Sequence, residues 1–201
     1  MRYATALESA QRVDHQGEKT FMARLKPIKG KDQVPAEHHA IVDAIVKSRG
    51  AVQGPFTMLL HCPELAGHVM NLGAYVRFEG KLDKRVRVLA AMTVAKELDC
   101  VYVWGAQTGQ ARKQNVPEAT ITAIREQHSR GLPPEDAQVV DFTRDLIRKH
   151  RVGDAAAAAL LKRFGEEQFI ELAGTVGYYS MLAMAANACE LDAGPGAEVL
   201  K

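Results

Sequence analysis

The chain has 201 residues, 47% of them hydrophobic, and its 26 lysines and arginines nearly balance its 24 aspartates and glutamates. This size and hydrophobic content suffice for one domain with a substantial core, or for two small helical halves that share one. The formal charge of +2 gives no reason to expect nucleic acid or an acidic membrane surface as a partner.

The cysteines and the hydropathy pattern bear on the compartment. Three cysteines, an odd number without paired spacing, argue against a disulfide framework and fit a reducing environment. We find no apolar run approaching the roughly 18 residues that cross a bilayer, and no apolar signal core at the N-terminus. These features predict a cytoplasmic protein that does not span a membrane.

The first part of the chain divides into an extension and two helices. The first 21 residues are polar and are predicted to lie outside the main domain. A helix is predicted over 36–48, closed by Gly50. Pro63 is predicted to start the next helix, and His61 precedes that start. The buried stripe expected there consists of Leu65, Val69, Leu72 and Val76.

The central stretch, 83–115, carries the strongest helical pattern. Apolar residues surround most of the first helix, which we expect to begin at Asp83 and to be central. A break near Asp99, with Asp99 as N-cap, separates it from a second helix over 100–114. Cys100 would lie at this second N-terminus, where the helix dipole stabilises a thiolate. The alternative for Cys100 is a small buried core thiol.

The second half of the chain follows a linker near 131–134. Asn115 is expected in the left-handed conformation that ends the central pair. Further helices are predicted over 118–128, 135–150, 154–164 and 166–191, with a tail over 193–201. In the last helix, Tyr178 and Tyr179 each carry a hydroxyl that needs a partner when buried. These tyrosines therefore either satisfy the core or line a pocket.

Several segments together resemble the carboxymuconolactone decarboxylase family, which includes the alkylhydroperoxidase D-type proteins. The resemblance covers roughly residues 22–192. It implies an all-α alkylhydroperoxidase D-like helical bundle, which two related helical halves could form. It also implies that the protein assembles into a compact homo-oligomer. The matching segments are residues 59–65 (LLHCPEL), 85–89 (RVRVL), 94–95 (VA), 100–107 (CVYVWGAQ), Ala111, 171–173 (ELA), 176–179 (VGYY) and 187–188 (NA).

The chain departs from the family pattern at its chemical positions. The peroxidase branch carries a Cys-x-x-Cys pair, a His four residues later and a Glu on the preceding helix. Cys100 matches the first Cys, but Val103, Gln107 and Val88 stand at the other three positions. The decarboxylase branch keeps a carboxylate and a His at the positions of Val103 and Gln107. A dithiol cycle would also need Cys62 or Cys189 within disulfide reach of Cys100.

Three functions remain open. The preferred one is a lyase-type enzyme, of the kind found in aromatic catabolism, that acts on a small carboxylated or carbonyl-bearing molecule. Its candidate catalytic residues are His61 for proton transfer, Cys100 and Gln107, and its candidate substrate-binding residues are Tyr102, Trp104, Tyr178 and Tyr179. The second is a non-catalytic ligand-binding or oligomeric family member. The third is a thiol-dependent peroxidase that uses Cys100 alone.

Motifs for metals and cofactors do not occur in the sequence. No two His or Cys residues lie at ligand spacing in company with a third, so we predict no metal. No glycine-rich phosphate loop occurs, which argues against nucleotide and dinucleotide binding. The expected partners are a small-molecule substrate and further copies of the chain, without a cofactor.

Overall fold

Helices form nearly all of the regular structure. The computed structural model describes residues 23–194 and 196–200, together with two short strands, Arg12–Val13 (β1) and Lys19–Thr20 (β2). The strands pair antiparallel, with Arg12 opposite Thr20. All other elements of the described chain are helical, which confirms the predicted all-α fold class. Apart from these strands, the predicted extension over residues 1–21 lies outside the described residues.

The helices follow one another through short connections. Two 3₁₀ turns, Lys31–Gln33 and Ala36–His38, precede the first α-helix, and a π-helical turn, Tyr75–Glu79, continues helix α3. The α-helices are α1 His39–Arg49, α2 Phe56–Leu59, α3 Pro63–Ala74, α4 Lys84–Glu97, α5 Val101–Lys113, α6 Glu118–Arg125, α7 Pro134–Arg148 and α8 Asp154–Ala188.

Helix α4 is the centre of the bundle and packs against α5, α7 and α8. Its start agrees with prediction, because the Asp83 carboxylate accepts hydrogen bonds from the backbone N–H groups of Arg85 (2.8 Å) and Val86 (3.3 Å). The helix is buried on most sides, as expected from its pattern. Its fully buried apolar residues are Leu89, Ala90, Ala91, Met92, Val94 and Ala95.

The connection from α4 to α5 differs from prediction in one residue. Asp99 adopts a left-handed φ of 47° and therefore ends α4, while Cys100 takes the N-cap position of α5. The backbone N–H of Cys100 donates to the Ala95 carbonyl at 2.8 Å, which closes the α4 C-terminus. At the other end of α5, Asn115 has the expected left-handed conformation, with a φ of 54°.

The buried side of α3 is not the predicted stripe. Val69 and Val76 are buried, but Leu65 and Leu72 are each 47% exposed. The buried α3 residues are Ala66, Val69 and Gly73, because α1 packs on that face. A helix presents only one face to its neighbour, and the two leucines lie beside that face.

The second half of helix α8, from Leu172 onward, packs in the core, whereas its first half is mostly exposed. By length and composition α8 could cross a membrane. This differs from the sequence analysis, which found no apolar run of that length. Leu172 and Val176 are buried, as in the core helix of a bundle. Gly165, with φ 73° and ψ 173°, interrupts the helix at the predicted boundary.

Several large apolar side chains remain on the surface, chiefly along α3 and α8. Ile170 is 66% exposed, Phe78 is 60% exposed and Met184 is 59% exposed. Leu72, Tyr75 and Ile170 border a surface groove of about 560 Å³. Exposed apolar surface of this kind is typical of contact sites. The homo-oligomer implied by the resemblance stays a prediction.

Candidate functional site

A chamber of about 210 Å³ lies where the end of α1, the π-helical turn, α5 and α8 meet. We call it the first chamber. Two arginines, three tyrosines and three glutamines provide its polar groups, and apolar side chains complete the wall. Its lining residues are Arg49, Gln53, Pro55, Phe56, Arg77, Tyr102, Val103, Ala106, Gln107, Gln110, Tyr178, Tyr179 and Leu182.

A second chamber, of about 240 Å³, adjoins the first. Four residues line both chambers and form the partition between them: Arg77, Gln107, Gln110 and Tyr179. The remaining lining residues of the second chamber are Val76, Phe78, Lys84, Arg87, Val88 and Gln114. A molecule that passes the partition can therefore contact both chambers.

Two of the three tyrosines of the first chamber are buried, and the third, Tyr102, is partly buried. Tyr178 and Tyr179 are 2% and 7% exposed, and their rings meet edge to face at 5.2 Å. Burial raises the pKa of Tyr179, although the charges of Arg77, Arg87 and Arg49 act in the opposite direction. Burial also raises the pKa of Tyr102. Both phenols are therefore hydrogen-bond donors.

Arg49 is held in the first chamber by two aromatic residues. Its guanidinium carbon lies 4.2 Å from the centre of the Phe56 ring, a cation–π distance. Its Nη2 donates to the Tyr178 hydroxyl at 3.3 Å. Its Nε is buried and has no hydrogen-bond partner among the described residues. A buried donor of this kind is costly unless a ligand or water satisfies it.

Two glycines make room for the tyrosines. A Cβ atom on Gly73 would overlap the Tyr178 hydroxyl and lie 2.6 Å from Nη2 of Arg49. A Cβ atom on Gly54 would overlap the Tyr102 hydroxyl, and Gly54 also has a left-handed φ of 59°. At two places in the site, therefore, the backbone of a glycine lies close to the hydroxyl group of a tyrosine, which leaves no room for a larger residue.

The charge of both chambers is positive. Neither lining set contains Asp, Glu or His. Within the described part of the chain, Arg49, Arg77 and Arg87 take part in no salt bridge; the ion pairs there involve other arginines. Guanidinium groups near buried donors and without acidic neighbours are suited to bind an anion.

Four of the residues predicted for the site converge in the first chamber: Tyr102, Gln107, Tyr178 and Tyr179. Trp104 lies outside both chambers. It is fully buried in the core, Arg125 stacks 5.4 Å from its ring centre, and its Nε1 has no partner among the described residues. Trp104 is therefore a core residue here and not a wall of the chamber.

His61 also lies outside the two chambers. Its side chain is exposed, and its Nε2 is 3.0 Å from the carbonyl oxygen of Lys26. This contact ties the start of α3 to the preceding loop, which is the structural role of a loop histidine. The geometry gives His61 no access to a molecule bound in either chamber.

Cys100 is fully buried and does not line either chamber. Burial raises the pKa of its thiol, and the nearby backbone N–H groups of Val103 and Tyr102 offset only part of this effect. The thiol therefore stays protonated at neutral pH, contrary to the effect expected at a helix N-terminus. Cys62 and Cys189 are also free thiols.

We expect Cys100 to react slowly with iodoacetamide at pH 7, because both burial and the raised pKa keep thiolate from the reagent. The exposed Cys62 should be labelled first. Peptide mass spectrometry over a time course measures both rates. Labelling of Cys100 in the native protein as fast as that of Cys62 would contradict this prediction.

Sequence patterns did not reveal the arginines of the site. Arg49 stands in the last turn of α1, where basic residues are ordinary. Arg77 lies in the π-helical turn, which has no recognisable sequence signal. Arg87 could have been noticed, because it interrupts the apolar run from Val86 to Val94. A buried charge in such a run often marks a site.

Metal binding has no geometric support in the described chain. Among the residues described, no group of three or more His, Cys, Asp or Glu side chains could hold a metal ion. The expected lack of a cofactor stays a prediction.

Comparisons with known proteins agree with the resemblance. Residues 63–130 match the model of the carboxymuconolactone decarboxylase family. That range includes helices α3 to α6 and six of the residues that line the first chamber: Arg77, Tyr102, Val103, Ala106, Gln107 and Gln110. No curated protein matches the chain.

Two solved structures share the fold. One is an alkylhydroperoxidase AhpD core, an uncharacterised peroxidase-related protein from Ralstonia eutropha, with a TM-score of 0.72, 16% identity, and coverage of 88% of this chain and 94% of that one. The other is a protein of unknown function from Agrobacterium tumefaciens, a putative antioxidant defence protein AhpD, with a TM-score of 0.61, 16% identity, and coverage of 68% and 94%. At this identity the two structures show the fold alone. Residues 63–130 thus match the carboxymuconolactone decarboxylase family, and the helical bundle has the fold of the two AhpD-like structures.

Proposed function

We propose that the protein is a carboxymuconolactone decarboxylase-like enzyme of the lyase type. Its substrate is a small carboxylated or carbonyl-bearing organic molecule bound in the first chamber. The supporting observation is the lining of that chamber, which combines two arginines and three tyrosines without any acidic residue. Its volume of about 210 Å³ is below the usual range for ligand sites, roughly 300–1,000 Å³, which favours a small molecule.

Arg49 and Arg77 are the groups that would bind a carboxylate. A guanidinium presents paired N–H donors that match the two oxygens of a carboxylate. Arg49 is pre-positioned by Phe56 and Tyr178, so little side-chain freedom is lost on binding. The apolar wall strengthens the charge interaction by excluding water.

The tyrosines and Gln107 would serve the chemical step. When a carbon–carbon bond to a carboxylate breaks as CO₂ leaves, the electron pair moves onto a neighbouring carbonyl, whose oxygen becomes negative. The protonated hydroxyls of Tyr102 and Tyr179 and the amide of Gln107 are donors that can stabilise this oxygen. The carbon that lost CO₂ then takes up a proton from water or from a tyrosine hydroxyl.

The second candidate is a binding protein without catalysis. It is favoured by the absence of His, Asp and Glu from the lining of both chambers, since these residues usually perform proton transfer near neutral pH. The third function, a peroxidase based on Cys100, has less support because Cys100 is buried, outside both chambers, and has a raised pKa.

The test compares the intact protein with Arg49→Met, using small lactone carboxylates and their methyl esters as probes. Calorimetry measures binding, and CO₂ release measures turnover. Loss of the Arg49 contact should weaken carboxylate binding at least about ten-fold, the range for a charge-assisted hydrogen bond. Ester binding should change little. Lys47→Met, a change of an exposed residue on the same helix, is the matched control.

The outcomes separate the candidates. Carboxylate binding with CO₂ release that falls in Arg49→Met supports the enzyme. Carboxylate binding without turnover supports the binding protein. Equal binding of carboxylates and esters, or no effect of Arg49→Met, overturns the assignment of the first chamber as a carboxylate site.

A further inference from the structure

We propose that the second chamber is a second oxyanion-binding subsite, centred on Arg87. The substrate would then carry an oxyanion at each end and would extend across the partition between the chambers. This inference rests on the proposed function of the first chamber, and it adds a distinct set of residues and a substrate class.

Arg87 is a buried cation without a counterion. Its side chain projects from α4, the residue is 9% exposed, and its Nη1 donates to the carbonyl oxygen of Val76 at 2.7 Å. No carboxylate among the described residues lies within ion-pair distance of it. A buried charge is costly unless it is paired, so the chamber next to Arg87 is where an anion would be most stabilised.

Two other buried or partly buried arginines of the bundle have carboxylate partners, which Arg87 lacks among the described residues. Arg85, two residues earlier on α4, binds Asp136, whose side chain is 1% exposed. Arg144 on α7, with a side chain 7% exposed, lies 3.3 Å from the Glu97 carboxylate. The fold thus supplies acidic partners for the basic groups that stabilise its core. It supplies none to Arg87 within the same described region.

The second chamber has the further groups that an oxyanion subsite needs. Arg77 and Lys84 line it together with Arg87, and no acidic residue does. Lys84 and Phe78 are exposed, so the chamber opens to solvent at that side. An anionic group can therefore enter at Lys84 and be bound deeper, at Arg87, with Arg77 between the two chambers.

The partition allows one molecule to occupy both chambers. Gln107, Gln110 and Tyr179 line both of them, and their amide and hydroxyl groups are suited to the uncharged middle of a ligand. Arg49 would bind one end and Arg87 the other. The group bound at Arg87 would be an oxyanion, either a carboxylate or a phosphoryl group.

Calorimetry on the full chain tests this inference with a series of α,ω-dicarboxylates from succinate to suberate. Each is paired with its monomethyl ester, which retains only one charge. At one chain length, the dicarboxylate should bind at least about ten-fold tighter than its ester, the range of one charge-assisted contact. The ω-phosphonoalkanoates of the same lengths show whether the second end is a phosphoryl group, because they would then bind tighter than the dicarboxylates.

A matched pair of substitutions assigns each charge to its chamber. Gln114 lines only the second chamber and Gln53 only the first. Gln114→Glu should remove the advantage of the dicarboxylate and leave the ester unaffected, because it puts a competing carboxylate into the chamber that Arg87 lines. Gln53→Glu should weaken the binding of both. Arg87→Met should have the same effect as Gln114→Glu. Because glutamate has nearly the same shape as glutamine, Gln114→Glu keeps the test valid if the Arg87→Met variant does not fold.

The outcomes separate this inference from the proposed function. If an ester binds in the first chamber and no dianion binds tighter, the second subsite is overturned while the first remains. If the dianion advantage persists in both Gln114→Glu and Arg87→Met, the second charge binds elsewhere and the inference is also overturned. If neither ester nor dianion binds, the proposed carboxylate site itself fails.

Discussion

Replacing Arg85 by methionine should lower the free energy of unfolding by about 3–5 kcal/mol, the cost of removing one partner from a buried ion pair. Arg85 on α4 makes a two-pronged contact with Asp136 at the start of α7, including Nη2 to Oδ2 at 2.7 Å. The Asp136 side chain is 1% exposed, so in the variant its carboxylate would be buried without a counterion. Urea denaturation at pH 7 measures the difference.

Two comparisons identify the cause. The double variant Arg85→Met, Asp136→Leu should recover most of the loss, because it removes the stranded carboxylate. Lys81→Met removes an ion pair to Glu167 whose side chains are 66% and 58% exposed, and it should cost at most about 1 kcal/mol. An equal loss in Arg85→Met and Lys81→Met would contradict the buried ion pair as the source of stability.

Gly73→Ala should disturb the site and the core together. The new methyl group would overlap the Tyr178 hydroxyl and lie 2.6 Å from Nη2 of Arg49. Because Tyr178 is 2% exposed, it has little room to move. We expect a loss of about 1–3 kcal/mol in unfolding free energy, typical of overpacking. Carboxylate binding should also weaken at least about ten-fold, because Arg49 must shift.

Gly177→Ala is the matched control, since it lies beside Tyr178 on α8. A Cβ atom there meets nothing within 4 Å, and alanine in a helix interior is favoured over glycine by roughly 0.5–1 kcal/mol. Thermal unfolding should therefore show a less stable protein for Gly73→Ala and a slightly more stable one for Gly177→Ala. Calorimetry should show weaker carboxylate binding only in Gly73→Ala. If Gly73→Ala binds carboxylates as the intact protein does, Gly73 does not position Arg49.

Local sequence rules predicted the elements of the fold. The N-cap role of Asp83, Pro63 at the start of α3, the left-handed Asn115 and the break at Gly165 each depend on a few neighbouring residues. Such rules are reliable because the backbone preferences of these residue types act over one turn. The shift of the α5 N-cap from Asp99 to Cys100 is the one-residue error usual at helix boundaries.

The site was only half predictable. Tyr102 and Gln107 follow from the spacing of α5, which was clear in the sequence, and Tyr178 and Tyr179 from a polar interruption in α8. Arg49 was not predictable, since its place in the chamber depends on how α1 packs against distant segments. The exposure of Leu65 shows the same limit, because periodicity gives the apolar face of a helix only approximately.

The π-helical turn, Tyr75–Glu79, gives the site a way to change that needs no substitution. A π turn contains one residue more than the corresponding α turn, and each residue of an α-helix turns the chain by roughly 100°. Deleting one residue between 75 and 79 would restore α-helical winding and rotate Arg77 relative to α3. Insertions and deletions in this turn could therefore alter the charge of both chambers during evolution while the rest of the bundle keeps its sequence.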